Sequence, residues 1–239
     1  MLKINELAFS YSGNGCKVFN DFSLSFEKGA VYGLLGLNGT GKSTLLYLLT
    51  GLLRPQEGSI EFKGEDVQKR LPSTLSDMYI VPEEFELPRM SMKQYAKLHS
   101  GFYPRFSYEQ LLQNLAMFGL DDSVVFNNLS MGQQKKAYMC FALATNTSLL
   151  VMDEPTNGLD IPSKSEFRRL IASNMSDDKT IIISTHQVRD IDSLLDHIVI
   201  IDRSSVLLNA SHAEICRRLP SPSSPSRSLP TGHSSCSPR

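Results

Sequence analysis

The chain opens with the two-residue alternation of β structure. Leu2 and Ile4, then Leu7 and Phe9, stand among polar residues, and Phe22-Ser23-Leu24-Ser25-Phe26 alternates without a break. The first stretch is expected as an edge strand, with Tyr11-Ser12-Gly13-Asn14-Gly15 as the turn that follows it. Val31-Tyr32-Gly33-Leu34-Leu35 is apolar nearly throughout and too short for a helix, which predicts a buried strand. The period then becomes helical. Leu45, Leu46, Leu48, Leu49 and Leu52 recur at helical spacing, and Pro55 is expected to end the helix because proline cannot continue its hydrogen-bond ladder. Short strands are predicted at 58–64 and 78–81.

Residues 84–128 change character. Ser91 with Gln94, and Ser107 with Gln110, have the spacing of helix capping boxes, and Leu111, Leu115 and Phe118 share one helix face. An inserted helical subdomain is the expectation. Within it, Phe85, Leu87, Met90, Met92 and Tyr95 admit two readings, an apolar docking groove or the subdomain's own core. Strand and helix then alternate again. Ser130 is placed to cap a helix reaching about Thr145, and Leu149-Leu150-Val151-Met152 is a buried strand ending in Asp153-Glu154. A helix should follow Pro162 with Ser163 and Glu166 as its box. A strand at 180–184, a helix at 188–195, a strand at 198–202 and a short helix opened by Ser211 and Glu214 complete the pattern. Such alternation predicts a mainly parallel sheet with helices on both faces.

Length and charge narrow the picture. The 239 residues suffice for one sizeable core, or a core with a small subdomain. Lys and Arg number 24 against 25 acids, so no basic excess points to nucleic acid, and none is expected as a partner. Cys16, Cys140, Cys216 and Cys236 lack metal-ligand spacing, which fits a reduced, cytosolic chain. An acid at Glu6 comes too early for a signal peptide. Apolar runs such as Ile198-Val199-Ile200-Ile201 fall far short of the roughly 18 residues that span a bilayer, so work at a membrane would require docking onto another protein. Residues 217–239 hold 8 Ser, 5 Pro, four Arg and no acid, which leaves the first 216 residues at −5 out of a formal −1 overall. That composition predicts disorder. A contact for acidic lipid head groups, a tail without function and an altered reading frame all remain open for it.

The chemistry centres on Gly36-Leu37-Asn38-Gly39-Thr40-Gly41-Lys42-Ser43-Thr44, which matches G-x-x-x-x-G-K-[ST] between the apolar strand and the leucine-rich helix. Glycines at 36, 39 and 41 let successive N–H groups turn inward, and the helix that follows aims its positive end at the same place. Lys42 would reach the β- and γ-phosphates of a nucleotide, and Ser43 would ligate Mg²⁺. Asp153 and Glu154 stand at the end of a buried strand, where active sites of parallel α/β sheets gather. Asp153 would hold Mg²⁺ and Glu154 would orient the attacking water.

Three further stretches follow in order: Leu129-Ser130-Met131-Gly132-Gln133, Asn157-Gly158-Leu159-Asp160, and His186 after Ser184-Thr185. With Tyr11, the glycine-rich loop and Asp153-Glu154 they resemble the ATP-binding-cassette (ABC) ATPases over residues 1 to about 215. The resemblance implies a P-loop NTPase core of residues 1–83 and 129–216, mainly parallel, with an antiparallel β edge region and the helical insert at 84–128. It implies that Tyr11 stacks on adenine and that Gly36, Asn38, Gly39, Thr40, Gly41, Lys42, Ser43 and Thr44 form the phosphate loop. Ser43, Asp153 and Glu83 would serve Mg²⁺, Glu154 would be the catalytic base, and His186 would sense the γ-phosphate. Ser130 and Gly132 would contact ATP held by a second subunit, and Asp160 would cross that interface. Two positions depart from the family pattern: Met131 stands where a glycine is usual, and Glu83 where many relatives carry glutamine. The implied protein is the Mg-dependent ATPase subunit of a transporter, dimerising on ATP and driving separate permease chains, and Phe102-Tyr103-Pro104-Arg105-Phe106 with the capped helix after it resembles exporter-type cassettes more than nutrient importers. It would sit in the cytoplasm, peripheral at the inner face of the cell membrane. A soluble cassette ATPase outside transport and a weakly hydrolysing regulator are the alternatives.

Overall fold

The computed structural model describes residues 1–12, 17–202 and 204–218. In chain order its elements are β1 (Leu2–Ser10), β2 (Lys17–Phe26), β3 (Val31–Leu35), α1 (Lys42–Leu49), β4 (Glu57–Phe62), β5 (Glu65–Asp66), α2 (Pro72–Leu75), β6 (Met78–Val81), α3 (Met92–His99), α4 (Tyr108–Ala116), α5 (Met131–Ala144), β7 (Leu149–Asp153), α6 (Ile161–Ser173), β8 (Thr180–Thr185), β9 (His197–Asp202), β10 (Ser205–Ser211) and α7 (His212–Arg218). The six-stranded sheet has the order β10-β9-β3-β8-β7-β6. Its strands are parallel except for β10, which pairs antiparallel with β9 at one edge. A second, antiparallel sheet has the order β2-β1-β4-β5.

Strand periodicity divides the core. Ile181, Ile183, Leu150 and Met152 point into a cluster with residues of α3, α4, α5 and α6. Their neighbours Ile182, Leu149 and Val151 point the other way, onto α1 and the antiparallel sheet. The apolar run of each central strand thus reflects burial on both faces. Met92 and Tyr95 are buried, while Leu87 and Met90 pack partly buried against the same cluster, so most of the apolar mass between 85 and 95 is core. Phe85 remains at the surface of a groove described below.

Several expectations need correction. β1 is an interior strand, paired with β2 on one side and β4 on the other. α1 stops at Leu49, well before Pro55, because Gly51 takes the left-handed conformation (φ 68°), and Leu52 is exposed. Ser163 lies inside α6. The cap is Asp160, whose carboxylate accepts from Ser163 N–H at 2.9 Å. Ser91 and Ser130 form complete capping boxes. Ser107 caps α4, but the Gln110 side chain is drawn to Asn174 and Asn146 instead of back to the cap. Residues 188–195 form two 3₁₀ turns, Val188–Asp190 and Asp192–Leu194, separated by Ile191 at φ −133°. β10 was not anticipated, since Ser205-Val206-Leu207-Leu208-Asn209 does not alternate and its pairing with β9 is tertiary. α7 runs through Arg218, two residues into the stretch expected to be disordered. Residues 219–239, and 13–16 of the turn after β1, lie outside the described residues.

One buried cation offers a stability test. Lys179 is 4% exposed, and its Nζ donates to the carbonyl of Leu143 at 3.4 Å and to Asn146 Oδ1 at 3.3 Å, both neutral partners. Burial, helped by the nearby Arg105, brings its pKa down to about 8. The unfolded chain holds this proton more tightly, so the penalty is full below pH 8 and fades as pH rises towards the ordinary lysine value. Lys179→Met is therefore expected to raise Tm at pH 7 by roughly 2–8 °C, with a smaller gain at pH 9.5. Calorimetry at the two pH values checks both statements.

Candidate active site

The loop from Gly36 to Gly41 joins β3 to α1 at the carboxyl end of the parallel sheet. A Cβ at Gly36 would lie 2.6 Å from the Ile201 carbonyl and 2.6 Å from Thr40 Oγ1, so only glycine fits. Gly41, the N-cap of α1, has φ 97°, and a Cβ there would lie 2.9 Å from Phe19 Cζ and 3.0 Å from Val18 Cγ1, inside van der Waals contact, which excludes larger residues twice over. Lys42 is 7% exposed, and its Nζ folds back on the loop, donating to Gly36 O at 2.9 Å and Leu37 O at 3.2 Å. Thr40 Oγ1 donates to Leu37 O. Tyr11 follows β1, meets Phe9 edge-on and places its hydroxyl 3.0 Å from Thr44 Oγ1.

A cleft of about 460 Å³ opens over this loop. It brings together Tyr11, Asn38, Gly39, Gly41, Lys42, Ser43, Thr44, Glu83, Glu154 and His186 of the expected set, and adds Val18 and Asn157. Gly36, Thr40 and Asp153 do not line it. Asp153 is 1% exposed at the end of β7, and the Ser184 hydroxyl donates to its Oδ1.

Glu154 follows with φ 43°, an unusual backbone for a side chain of this size. Its N–H donates to Ser184 Oγ and Ser184 O, both at 3.1 Å. Its Oε1 lies 2.8 Å from His186 Nδ1. The Gln187 amide nitrogen faces His186 Nε2 at 3.1 Å and makes that atom the acceptor, which leaves the ring hydrogen on Nδ1 for Glu154. The pair can orient a water, with the carboxylate as proton acceptor and the Nδ1–H of His186 holding the carboxylate in place.

Ser130 and Gly132 are elsewhere. Ser130 caps α5 and is exposed, and Gly132 lines a second groove of about 780 Å³ with Met131, Lys135, Asn157, Gly158 and residues 83–86. Met131, at the first turn of α5, is 69% exposed and leaves the capping box intact. Glu83 and Asn157 border both grooves, and Glu83 Oε1 accepts from Asn157 Nδ2 at 2.8 Å. Asp160 serves as the α6 cap, and the Ser163 hydrogen bonds hold its carboxyl below the usual range. Three large apolar side chains stand exposed at the edges of these loops: Leu37 at 79%, Met131 at 69% and Ile161 at 84%.

Sequence reasoning missed four contributors: Ser184 and Gln187, which hold Asp153, Glu154 and His186, and Lys135 with Asn157, which brace the turn after β7. Lys135 carried a signal, since it shares a helix face with the apolar Met139 four residues on.

A family model described as ABC transporter matches residues 19–157. The ABC transporter ATP-binding protein YtrB of Bacillus subtilis is 26% identical, over 86% of this chain and 70% of its own length. The lantibiotic transport ATP-binding protein SrtF of Streptococcus pyogenes is 30% identical, over 89% of this chain and 91% of its own. Among solved structures, cbiO1 of Clostridium perfringens, part of the ABC transporter complex cbiONQ, superposes with a TM-score of 0.75 at 25% identity, covering 91% of this chain and 90% of that one. An ATP-binding cassette in a dimeric post-hydrolysis state with ADP and Pi reaches 0.77 at 23% identity, covering 88% and 98%.

Proposed function

The chain belongs to the ABC transporter family as an ATP-binding subunit, and from that premise we propose how its own residues bind and hydrolyse ATP to drive a permease. The observation that carries the reading is the cleft at the carboxyl end of the sheet, where Lys42, the Glu154–His186 pair and Tyr11 converge, while Gly132 lines a separate groove and Ser130 caps the helix beside it. Tyr11 lies against the adenine, the loop from Gly36 to Thr44 holds the phosphates, and Lys42 exchanges its carbonyl partners for the β- and γ-oxygens. Glu154 accepts the proton of the attacking water, and His186 steadies the carboxylate through Nδ1.

Mg²⁺ fits the donors at hand. Ser43 and Glu83 line the cleft with a hydroxyl and a carboxylate, and Asp153 lies buried at the end of β7 with one oxygen held by Ser184, all hard oxygens of the kind this ion takes. When bound, it would neutralise negative charge on the transferred phosphoryl group.

A second copy of the chain completes the site. Ser130 and Gly132 at the start of α5 would meet the γ-phosphate bound by the other copy, with the exposed Leu37, Met131 and Ile161 flanking the contact. ATP then favours the closed dimer and its hydrolysis releases it. Among the described residues no helix is long and apolar enough to cross a membrane, so attachment at the inner membrane face would run through permease chains. Nothing among the relatives favours a role outside transport or a regulator with little turnover. Crosslinking in native membranes, followed by identification of the captured chains, tests the reading. The expected product is an adduct with a multi-spanning membrane protein, and capture of soluble partners alone would overturn it.

A further inference from the structure

We propose that Lys135 is a positioning residue for ATP hydrolysis, riveting α5 to the backbone turn that carries Glu154. The inference rests on the reading of Glu154 as the base. Lys135 is 6% exposed, and its Nζ donates to the carbonyl oxygens of Glu154 at 2.9 Å and Asn157 at 3.1 Å. A residue as large as glutamate at φ 43° is strained and persists only where its surroundings hold it. Ser184 holds the N–H side of this residue, and Lys135 and the Asn157 N–H hold its carbonyl. Without the ammonium, the Glu154 carbonyl keeps only the Asn157 N–H of its own turn among the described residues.

The same contact joins three parts of the site. α5 begins at Ser130 and Gly132, Glu154 faces His186, and Asn157 holds Glu83. A shift of α5 is therefore passed to the backbone of Glu154 and to the Glu83 loop through one side chain. Lys135 also brings a positive charge among Glu83, Glu154 and Asp153. Burial pulls its pKa down and these three carboxylates oppose that pull. Lys135 is absent from the cleft that holds Lys42 and Tyr11, so it is not placed to bind its own chain's nucleotide.

The test compares Lys135→Met and Lys135→Arg with the unaltered subunit. The readouts are kcat and KM for ATP and the Kd for the fluorescent analogue mant-ATP. Lys135→Met is expected to lower kcat about 10–100-fold, as a base displaced by a fraction of its reach would, with the mant-ATP Kd held within about threefold. Lys135→Arg keeps two donors, the adjoining groove has room for the guanidinium, and most of kcat should return. If Lys135→Met unfolds, Lys135→Arg and Lys135→Gln carry the comparison, with the order of kcat expected to follow the donors retained. An unchanged kcat in Lys135→Met overturns the proposal, and so does a parallel loss of kcat and nucleotide affinity that Arg does not restore. Glu154→Gln is assayed alongside. If it too hydrolyses normally, the reading of the base has failed; if it alone is inactive, only the role of Lys135 has.

Discussion

Glu154→Gln is expected to lower the rate of ATP hydrolysis by about 10²–10³-fold while leaving nucleotide binding intact. The substitution keeps the size of the side chain and its ability to meet His186, and it removes the proton-accepting carboxylate. The local geometry gives this single change its weight. The Glu154 side chain is only 8% exposed, its backbone is held by Ser184, and its Oε1 is already engaged with His186 at 2.8 Å. No other carboxylate can take its place without rearrangement, because Asp153 is buried and engaged by Ser184, and Glu83 is engaged by Asn157. Since hydrolysis is what opens the closed dimer, the variant should accumulate as an ATP-bound dimer. Light scattering with ATP and Mg²⁺ would show twice the subunit mass for the variant, and turnover at the native rate would rule Glu154 out as base.

The legible parts of the site were those fixed by local chemistry. The loop from Gly36 to Ser43 needs particular residue types at particular steps, because a Cβ at Gly36 would strike the Ile201 carbonyl and because Gly39 and Gly41 adopt left-handed angles. Asp153 and Glu154 were legible from the apolar strand before them, since a parallel sheet collects such strand ends. The central strands announced themselves by continuous apolar runs. β10 did not, because an edge strand half open to solvent needs no apolar alternation and is specified by its partner. The cap of α6 was misplaced by three residues since both Asp160 and Ser163 are good caps in isolation, and tertiary context chose the first. Lys135, Ser184 and Gln187 act through backbone and side-chain atoms distant in sequence, a relation that spacing along the chain does not encode.

The half-site geometry leads to the other large effect. Lys42→Ala removes the one ammonium placed among the loop carbonyls and should weaken ATP binding about 10–100-fold, the scale of a lost charge-assisted hydrogen bond or two. Hydrolysis should fall below detection. The protein itself should stay folded, because the carbonyls that Lys42 leaves belong to the exposed Leu37 and the half-buried Gly36, which water can reach. Ser130→Arg should also abolish hydrolysis for a different reason. It places bulk and the wrong geometry at the α5 cap, where the proposed function brings the second copy's γ-phosphate, while leaving the Lys42 cleft of its own chain untouched. The two inactive variants are therefore complementary. In a mixed dimer one site carries both lesions, and the other combines the intact Lys42 of one chain with the intact Ser130 of its partner. Random mixing makes half the dimers mixed, each with one sound site, so activity should return to roughly a quarter of the native level if the sites act independently. Were each chain a complete enzyme, no mixture of the two would hydrolyse ATP at all. A recovery curve that peaks near equal proportions would place the working site between two chains, and a flat line at zero would place it within one.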